Sequence, residues 1–398
     1  MKYAVVILDG AAGRPLDELG GMTSLEYANT PFLDLLAREG TVGLTRNVPQ
    51  GCEPSSNVAC MSIIGYDPVR YDIGRGAIEG AAIGIDLGPG DVALRMNLCC
   101  VADGLMKSYS TDNISTEDSS ALADEIAAAL DDETFELHRS VGFRHILVVR
   151  GHPELMNLSY HPAHNLTDKP VAGCEPQGKG AGLLVDYMRR ADAILSSSDV
   201  NARRVAEGKL PATNAWLFWP GMRPEGMEPF EQVYHLQAGM LSAVDLLNGL
   251  AELTGIRRYS CPGISDGPDN DFAAQGAKAV EMLGERDLVV IHVEAPDTAG
   301  HDGSASQKVA AIEAIDREIV SRLVDYANSD ELAVLALPDH PTPVELKTHS
   351  PEPVPFVMWG DDVETSVGER LTEQEGARSC LVVDPGCSLM GGFIAQRL

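Results

Sequence analysis

The stretch that decides the fold is 288–337, LVVIHVEAPDTAGHDGSASQKVAAIEAIDREIVSRLVDYANSDELAVLAL. It opens on one short apolar run, 288–293, and closes on another, 332–337. Between them Val309, Ile312, Ile315, Ile319 and Leu323 recur at helical spacing over 305–327. Strand, helix, strand in that order is the pattern of a parallel sheet covered by helices, because parallel neighbours need a long crossover. Apolar runs without alternation suit strands buried on both faces. Working outward, 3–8 (YAVVIL, ending at Asp9-Gly10) and 355–359 (PFVMW) read as further strands, and 242–254 as a helix on the same sheet.

The middle of the chain reads differently. Residues 117–130 suggest an amphipathic helix, 133–138 and 144–150 strands, and 181–196 another helix, after a segment rich in Pro, His and Gly. This self-contained α+β pattern is bracketed by the two parts of the parallel-sheet pattern. The expected organisation is a core of 1–110 and 216–398 with a smaller domain, 111–215, inserted into it. A length of 398 residues suits two domains better than one core.

Composition narrows the function. Thirty Lys and Arg face 59 Asp and Glu, a formal charge of −29. Such a chain is repelled by nucleic acid and by anionic membrane surfaces, so neither is an expected partner. No run approaches the roughly 20 apolar residues of a membrane span, and the first apolar run is too short for a signal segment. The eight cysteines form no CxxC pair, which argues against a zinc ribbon and gives no disulfide framework. A reducing cytoplasm with buried free thiols is the expectation. Nothing in the sequence sets an oligomeric state.

Five segments place an ionisable or hydroxyl residue at or near a strand end: Asp9, Ser56, Asp297 with His301, Asp339-His340, and His349. Alone, an Asp before Gly is more often a turn former, and a lone DxxxH arises by chance. Jointly they point to a metal centre at the carboxyl ends of the strands. Mixed Asp and His suit Mn²⁺ or Zn²⁺ better than Ca²⁺. Seven candidates suffice for two ions with open positions, and two ions can clamp a transferring phosphoryl group. A serine becomes a competent nucleophile when a metal lowers its pKa, and Ser56 is the candidate.

Taken with 56–68 (SNVACMSIIGYDP), 74–79 (GRGAIE), 294–303 (EAPDTAGHDG), 338–343 (PDHPTP) and 347–350 (KTHS), the chain resembles the archaeal-type, cofactor-independent phosphoglycerate mutases of the alkaline phosphatase superfamily. The resemblance runs over nearly the whole chain. It implies an alkaline-phosphatase-like three-layer α/β core with a mainly parallel sheet and an inserted α+β domain. It further implies that Ser56 becomes phosphorylated, that Asp9, Ser56, Asp339 and His340 surround one ion, and that Asp297, His301 and His349 surround the other. Mn²⁺ is foremost, with Zn²⁺, Mg²⁺ or Co²⁺ as alternatives. The implied substrate is 3-phosphoglycerate, whose phosphoryl group passes to Ser56 and back to the 2-hydroxyl.

Two departures bear on the substrate. Asn57 stands where the family usually has Asp, and 216–221 (WLFWPG) replaces an arginine-glycine turn. Both this segment and 292–296 (HVEAP) are similar to a bacterial branch proposed as homoserine kinase. That phosphotransferase and a metal-dependent phosphatase are the alternative readings. The segment 173–179 has P-loop spacing but Gly180 stands where Ser or Thr is required. An inserted domain able to close over the site favours transfer over hydrolysis. Substrate phosphate needs cations, and Arg75, Arg95, Lys169 and Lys347 are the candidates.

Overall fold

The computed structural model describes residues 1–366 and 368–397. The chain divides into two compact units, one built from Met1–Tyr71 and the segment from Gly226 onward, the other from Asp72–Glu225. Among the described residues the strands are β1 (Lys2–Leu8), β2 (Thr41–Thr45), β3 (Val92–Ala102), β4 (Leu105–Ser108), β5 (Phe135–Arg139), β6 (Arg144–Val149), β7 (Asn214–Met222), β8 (Ala238–Leu241), β9 (Arg257–Tyr259), β10 (Leu288–Val293), β11 (Leu332–Leu337), β12 (Val354–Trp359) and β13 (Val382–Val383).

The first unit holds an eight-stranded sheet in the order β13-β2-β12-β11-β1-β10-β8-β9. β1 runs parallel to β10 and β11, and β8 and β9 continue that direction. β12 is antiparallel to both of its neighbours. The connection 338–353 that leads into it contains no helix, so it does not make the crossover a parallel return needs. Both sheet faces are dry. Ala4, Val6 and Leu8 of β1 share a core with Ile291, Val334, Leu36, Met282 and Ile312, while Val5 and Ile7 are equally buried on the other side. There Tyr3 meets Phe393 of the helix Leu389–Ala395 edge-on, with ring centroids 5.5 Å apart. Helix, sheet, helix is the three-layer arrangement the sequence suggests.

The helix expected over 305–327 carries a defect. Ala305–Ile315 and Ser321–Ala327 are α-helical, but Asp316–Val320 forms a single π turn. There the Asp316 carboxylate accepts from the N–H groups of Phe32 (3.3 Å) and Leu33 (2.7 Å). These are first-turn donors of the helix Pro31–Glu39, left without intrahelical partners.

The second unit is wider than 111–215, and its sheet explains why. β3 lies at the centre, paired with β6, with β7 and, at its far end, with β4. β3 precedes the expected limit and β7 crosses it. The helix Arg75–Ala82 packs so closely on this sheet that a Cβ on Gly76 would lie 2.2 Å from the Ala93 carbonyl oxygen. Helices Thr116–Leu130 and Ala181–Ser196 bury Leu122, Ile126, Leu184 and Tyr187 in a core shared with Val92, Leu94 and Met96.

The cysteines differ in burial: Cys60, Cys99 and Cys100 are buried while Cys380 is exposed. Among the described residues no helix is long and apolar enough to cross a membrane.

Candidate active site

Strand register brings the chemistry together. Ile7 of β1 is level with His292 of β10 and with Leu337 of β11. Two residues beyond each stand Asp9, Glu294 and Asp339, so three carboxylates reach the same carboxyl edge of the sheet. Gly10 makes the turn at this edge possible. Its φ is +61°, and a Cβ there would lie 2.5 Å from Asp297 Oδ1. Ser56 is the first residue of the helix Ser56–Ile63, where free backbone N–H groups favour an anion. Asp297 and His301 lie one turn apart on the helix Ala295–Asp302 rather than at a strand end. β10 stops at Val293, and Pro296 suits the first turn of the helix that follows.

Six side chains each have one polar atom held by the protein and another turned inward. Asp9 Oδ2 accepts from His292 Nε2 at 2.6 Å, while its Oδ1 is buried without a hydrogen-bond partner. Asp339 Oδ1 accepts from the N–H groups of Gly10 (3.0 Å) and His340 (2.7 Å), leaving Oδ2 3.2 Å from His340 Nε2. Asp297 Oδ1 accepts from Thr342 Oγ1, and Oδ2 lies 3.2 Å from His301 Nε2. His301 donates from Nδ1 to the Lys347 carbonyl (3.0 Å) and His349 from Nδ1 to the Pro54 carbonyl (3.1 Å). His340 Nδ1 lies 3.4 Å from Thr342 Oγ1, and its Nε2 is 3.3 Å from Ser56 Oγ.

These acceptors place a proton on each Nδ1, so Nε2 is the atom that presents a lone pair when the ring is neutral. The Nε2 atoms of His301 and His349 are 2.9 Å apart, close enough to share a proton in an N–H···N hydrogen bond or, once deprotonated, to turn toward one cation. Ligand atoms of Asp297, His340 and His349 lie within 4.8 Å of one another, as do those of Asp9, Asp339 and His340, and those of Asp9, His292 and Glu294. Protein hydrogen bonds that orient ligands from behind are the usual support of a metal site, so these residues fit divalent ions.

Electrostatics agree. Burial, then Asp339, Glu294 and Asp297, hold the Asp9 carboxyl well above the usual carboxylate range. Burial and then Asp297 push Glu294 up to about 7. Burial alone would raise Asp297, but contacts from His301 and His349 hold it well below its ordinary value. In turn Asp297 lifts His301 to about 9. So much crowded negative charge is relieved by protons or by metal cations.

The basic candidates separate. In the second unit, Arg75 is half-exposed, bonds Glu79 at 2.8 Å and lies over the Trp219 ring at 4.1 Å. Arg95 is buried and committed to the same Glu79 and to Asn97. Lys169 is exposed, its Nζ donating to the Asn165 carbonyl at 2.9 Å. In the first unit Lys347 is exposed too, its Nζ donating to the Asp302 carbonyl at 3.1 Å and its own carbonyl orienting His301.

Residues 37–201 match the family model described as 2,3-bisphosphoglycerate-independent phosphoglycerate mutase. The enzyme of that name from Methanosarcina barkeri is 38% identical over 95% of both chains. A second, from Methanothermobacter thermautotrophicus, is 40% identical over 92% of this chain and 90% of its own. The chain belongs to the 2,3-bisphosphoglycerate-independent phosphoglycerate mutase family. Among solved structures, the PH0037 protein of Pyrococcus horikoshii superposes with a TM-score of 0.85 at 28% identity, covering 100% of this chain and 98% of its own. The cofactor-independent phosphoglycerate mutase of Thermoplasma acidophilum gives 0.69 at 25% identity, covering 99% of each.

In this mutase-family chain, two residues absent from the sequence-derived set join the site. His292 is buried in β10; burial pulls its pKa down to about 4, so it is neutral, accepting from Ser242 Oγ and donating to Asp9. Glu294 Oε2 is buried without a hydrogen-bond partner. The available signal was the histidine itself, a polar side chain in an apolar strand that has to find a partner.

Proposed function

We propose that this chain interconverts 3-phosphoglycerate and 2-phosphoglycerate through a phosphoserine at Ser56, with two divalent ions, Mn²⁺ foremost. The observation that carries the reading is the set of inward-facing atoms, each backed by a protein hydrogen bond. Asp9, Ser56, Asp339 and His340 would hold one ion and Asp297, His301 and His349 the other. Bound there, the ions would neutralise charge on the phosphoryl group and favour the seryl alkoxide.

The chain's own residues do the rest. Ser56 Oγ forms a bond to phosphorus as the bond from phosphorus to O3 breaks; the seryl proton leaves and the released hydroxyl gains one. The free N–H groups of the helix Ser56–Ile63 support the negative phosphoserine. Attack by the 2-hydroxyl then frees Ser56. Arg75, half-exposed, is the guanidinium offered to the substrate's anionic groups, with Arg95 fixing Glu79 behind it. Lys169 and Lys347 are further contacts on this reading.

The test is a coupled assay with 3-phosphoglycerate, Mn²⁺ and no bisphosphoglycerate, run beside ATP with homoserine. Turnover of 3-phosphoglycerate alone is expected; turnover only with ATP and homoserine would move the protein to a kinase.

Two further results follow from the electrostatics. An ion must displace the proton that Asp297 keeps on His301 up to about pH 9. Below that value the deprotonated, ligating form grows with pH, so Mn²⁺ affinity is expected to rise by up to about tenfold per pH unit for one displaced proton. Calorimetry in buffers of different ionisation enthalpy reads the released proton, and a pH-independent affinity would contradict the ligand assignment. Replacing His292 with Asn leaves Asp9 Oδ2 unsupported and is expected to weaken Mn²⁺ binding by roughly 10–100-fold. Metal titration of that variant checks it, and unchanged affinity removes His292 from the site.

A further inference from the structure

Lys308 is a lysine with no exposed surface, on the helix Ala305–Ile315. A buried ammonium is costly unless its donors are used. Its Nζ donates to the carbonyl oxygens of Ala12 (2.9 Å) and Thr342 (2.7 Å). Those two carbonyls belong to the loops that follow β1 and β11 and carry Asp9 and Asp339-His340. The loops also touch directly, the Thr342 N–H donating to the same Ala12 oxygen at 3.1 Å. From Thr342 the connection continues, since its hydroxyl donates to Asp297 Oδ1 and lies 3.4 Å from His340 Nδ1. One ammonium thus anchors a residue that touches ligands of both candidate ion sites.

We propose that Lys308, acting through Thr342, is the positioning residue that fixes the two ion sites relative to each other. The inference rests on the two-ion reading above. Lys308 touches no ligand itself; its ammonium satisfies two backbone carbonyls that an apolar side chain could not. What the ammonium adds is a fixed separation between two loops that each carry ligands. Spacing decides whether two ions share a phosphoryl group or bind independently.

The experiment compares the full-length wild type, Lys308→Met and Lys308→Arg, with Ile312→Ala as a destabilising control on the same helix. Mn²⁺ per chain and both dissociation constants are measured, together with the electron paramagnetic resonance signature of an exchange-coupled Mn²⁺ pair. Lys308→Met is expected to weaken the second Mn²⁺ by roughly 10–100-fold and to lose the coupled signal. Lys308→Arg should recover part of both, and Ile312→Ala should keep both despite a lower melting temperature. If Lys308→Met does not fold, Thr342→Val, which keeps the carbonyl and removes the hydroxyl, is expected to lose the coupled signal as well. Wild-type affinities and coupling in Lys308→Met, or in Thr342→Val where that variant stands in, overturn the proposal. A wild type that binds a single Mn²⁺ overturns the two-ion reading instead.

Discussion

Replacing Ser56 with Ala is expected to lower kcat by roughly 10⁴–10⁶-fold, the scale seen when a covalent nucleophile is removed. The hydroxyl sits where three effects converge. It begins the helix Ser56–Ile63, so free N–H groups favour negative charge on it; it lies 3.3 Å from His340 Nε2; and that same Nε2 is 3.8 Å from the buried, unpartnered Asp9 Oδ1. The fold has little stake in it, since Ser56 is only partly buried, and the stability change is expected within about 0.5 kcal/mol. Steady-state kinetics and thermal melting together check both halves. Residual turnover within about tenfold of wild type would assign the nucleophile elsewhere.

Stripping divalent ions with a chelator is expected to abolish turnover and to lower the melting temperature, both restored by Mn²⁺. Asp9, Glu294, Asp297 and Asp339 converge, and burial with mutual repulsion already pushes Asp9 and Glu294 upward. An ion at 100 times its dissociation constant stabilises the folded state by about 2.7 kcal/mol. For a unit of this size that corresponds to about 5–10 °C. The sign with pH is fixed by the raised carboxyls. Glu294, near 7 when folded, keeps its proton where the unfolded chain has lost it, so its contribution to chelated-protein stability is full below its unfolded value and is lost as pH rises through about 7. The gain from added Mn²⁺ should therefore be larger at pH 8 than at pH 5. Differential scanning calorimetry reads this; equal gains at both would show that these carboxyls do not meet the ion.

What was legible in the sequence is what a period or a strand end can report. The apolar runs 3–8, 288–293 and 332–337 became β1, β10 and β11, because strands buried on both faces need no polar positions. Asp9, Asp339 and His340 stand directly beyond such strands, and the structure gathers them. β3 was not legible: Arg95 and Asn97 interrupt it, and both are buried through partners outside the strand, Glu79 and Tyr109, that no periodicity identifies. β7 was obscured by Pro220 and Gly221, which read as a turn but are tolerated in a strand paired on one side only. Missing these two strands moved both limits of the second unit inward. The role of Lys308 was equally hidden, because its acceptors are backbone carbonyls, and no sequence pattern names those.

The most direct test of the central claim is to mix the Mn²⁺-loaded protein with 3-phosphoglycerate labelled with ³²P, quench in acid within milliseconds, and map the labelled peptide. Acid-stable label is expected on the peptide containing Ser56, chased away by unlabelled substrate at the rate of turnover. Label on another residue, or turnover with no labelled protein at any time, would contradict it.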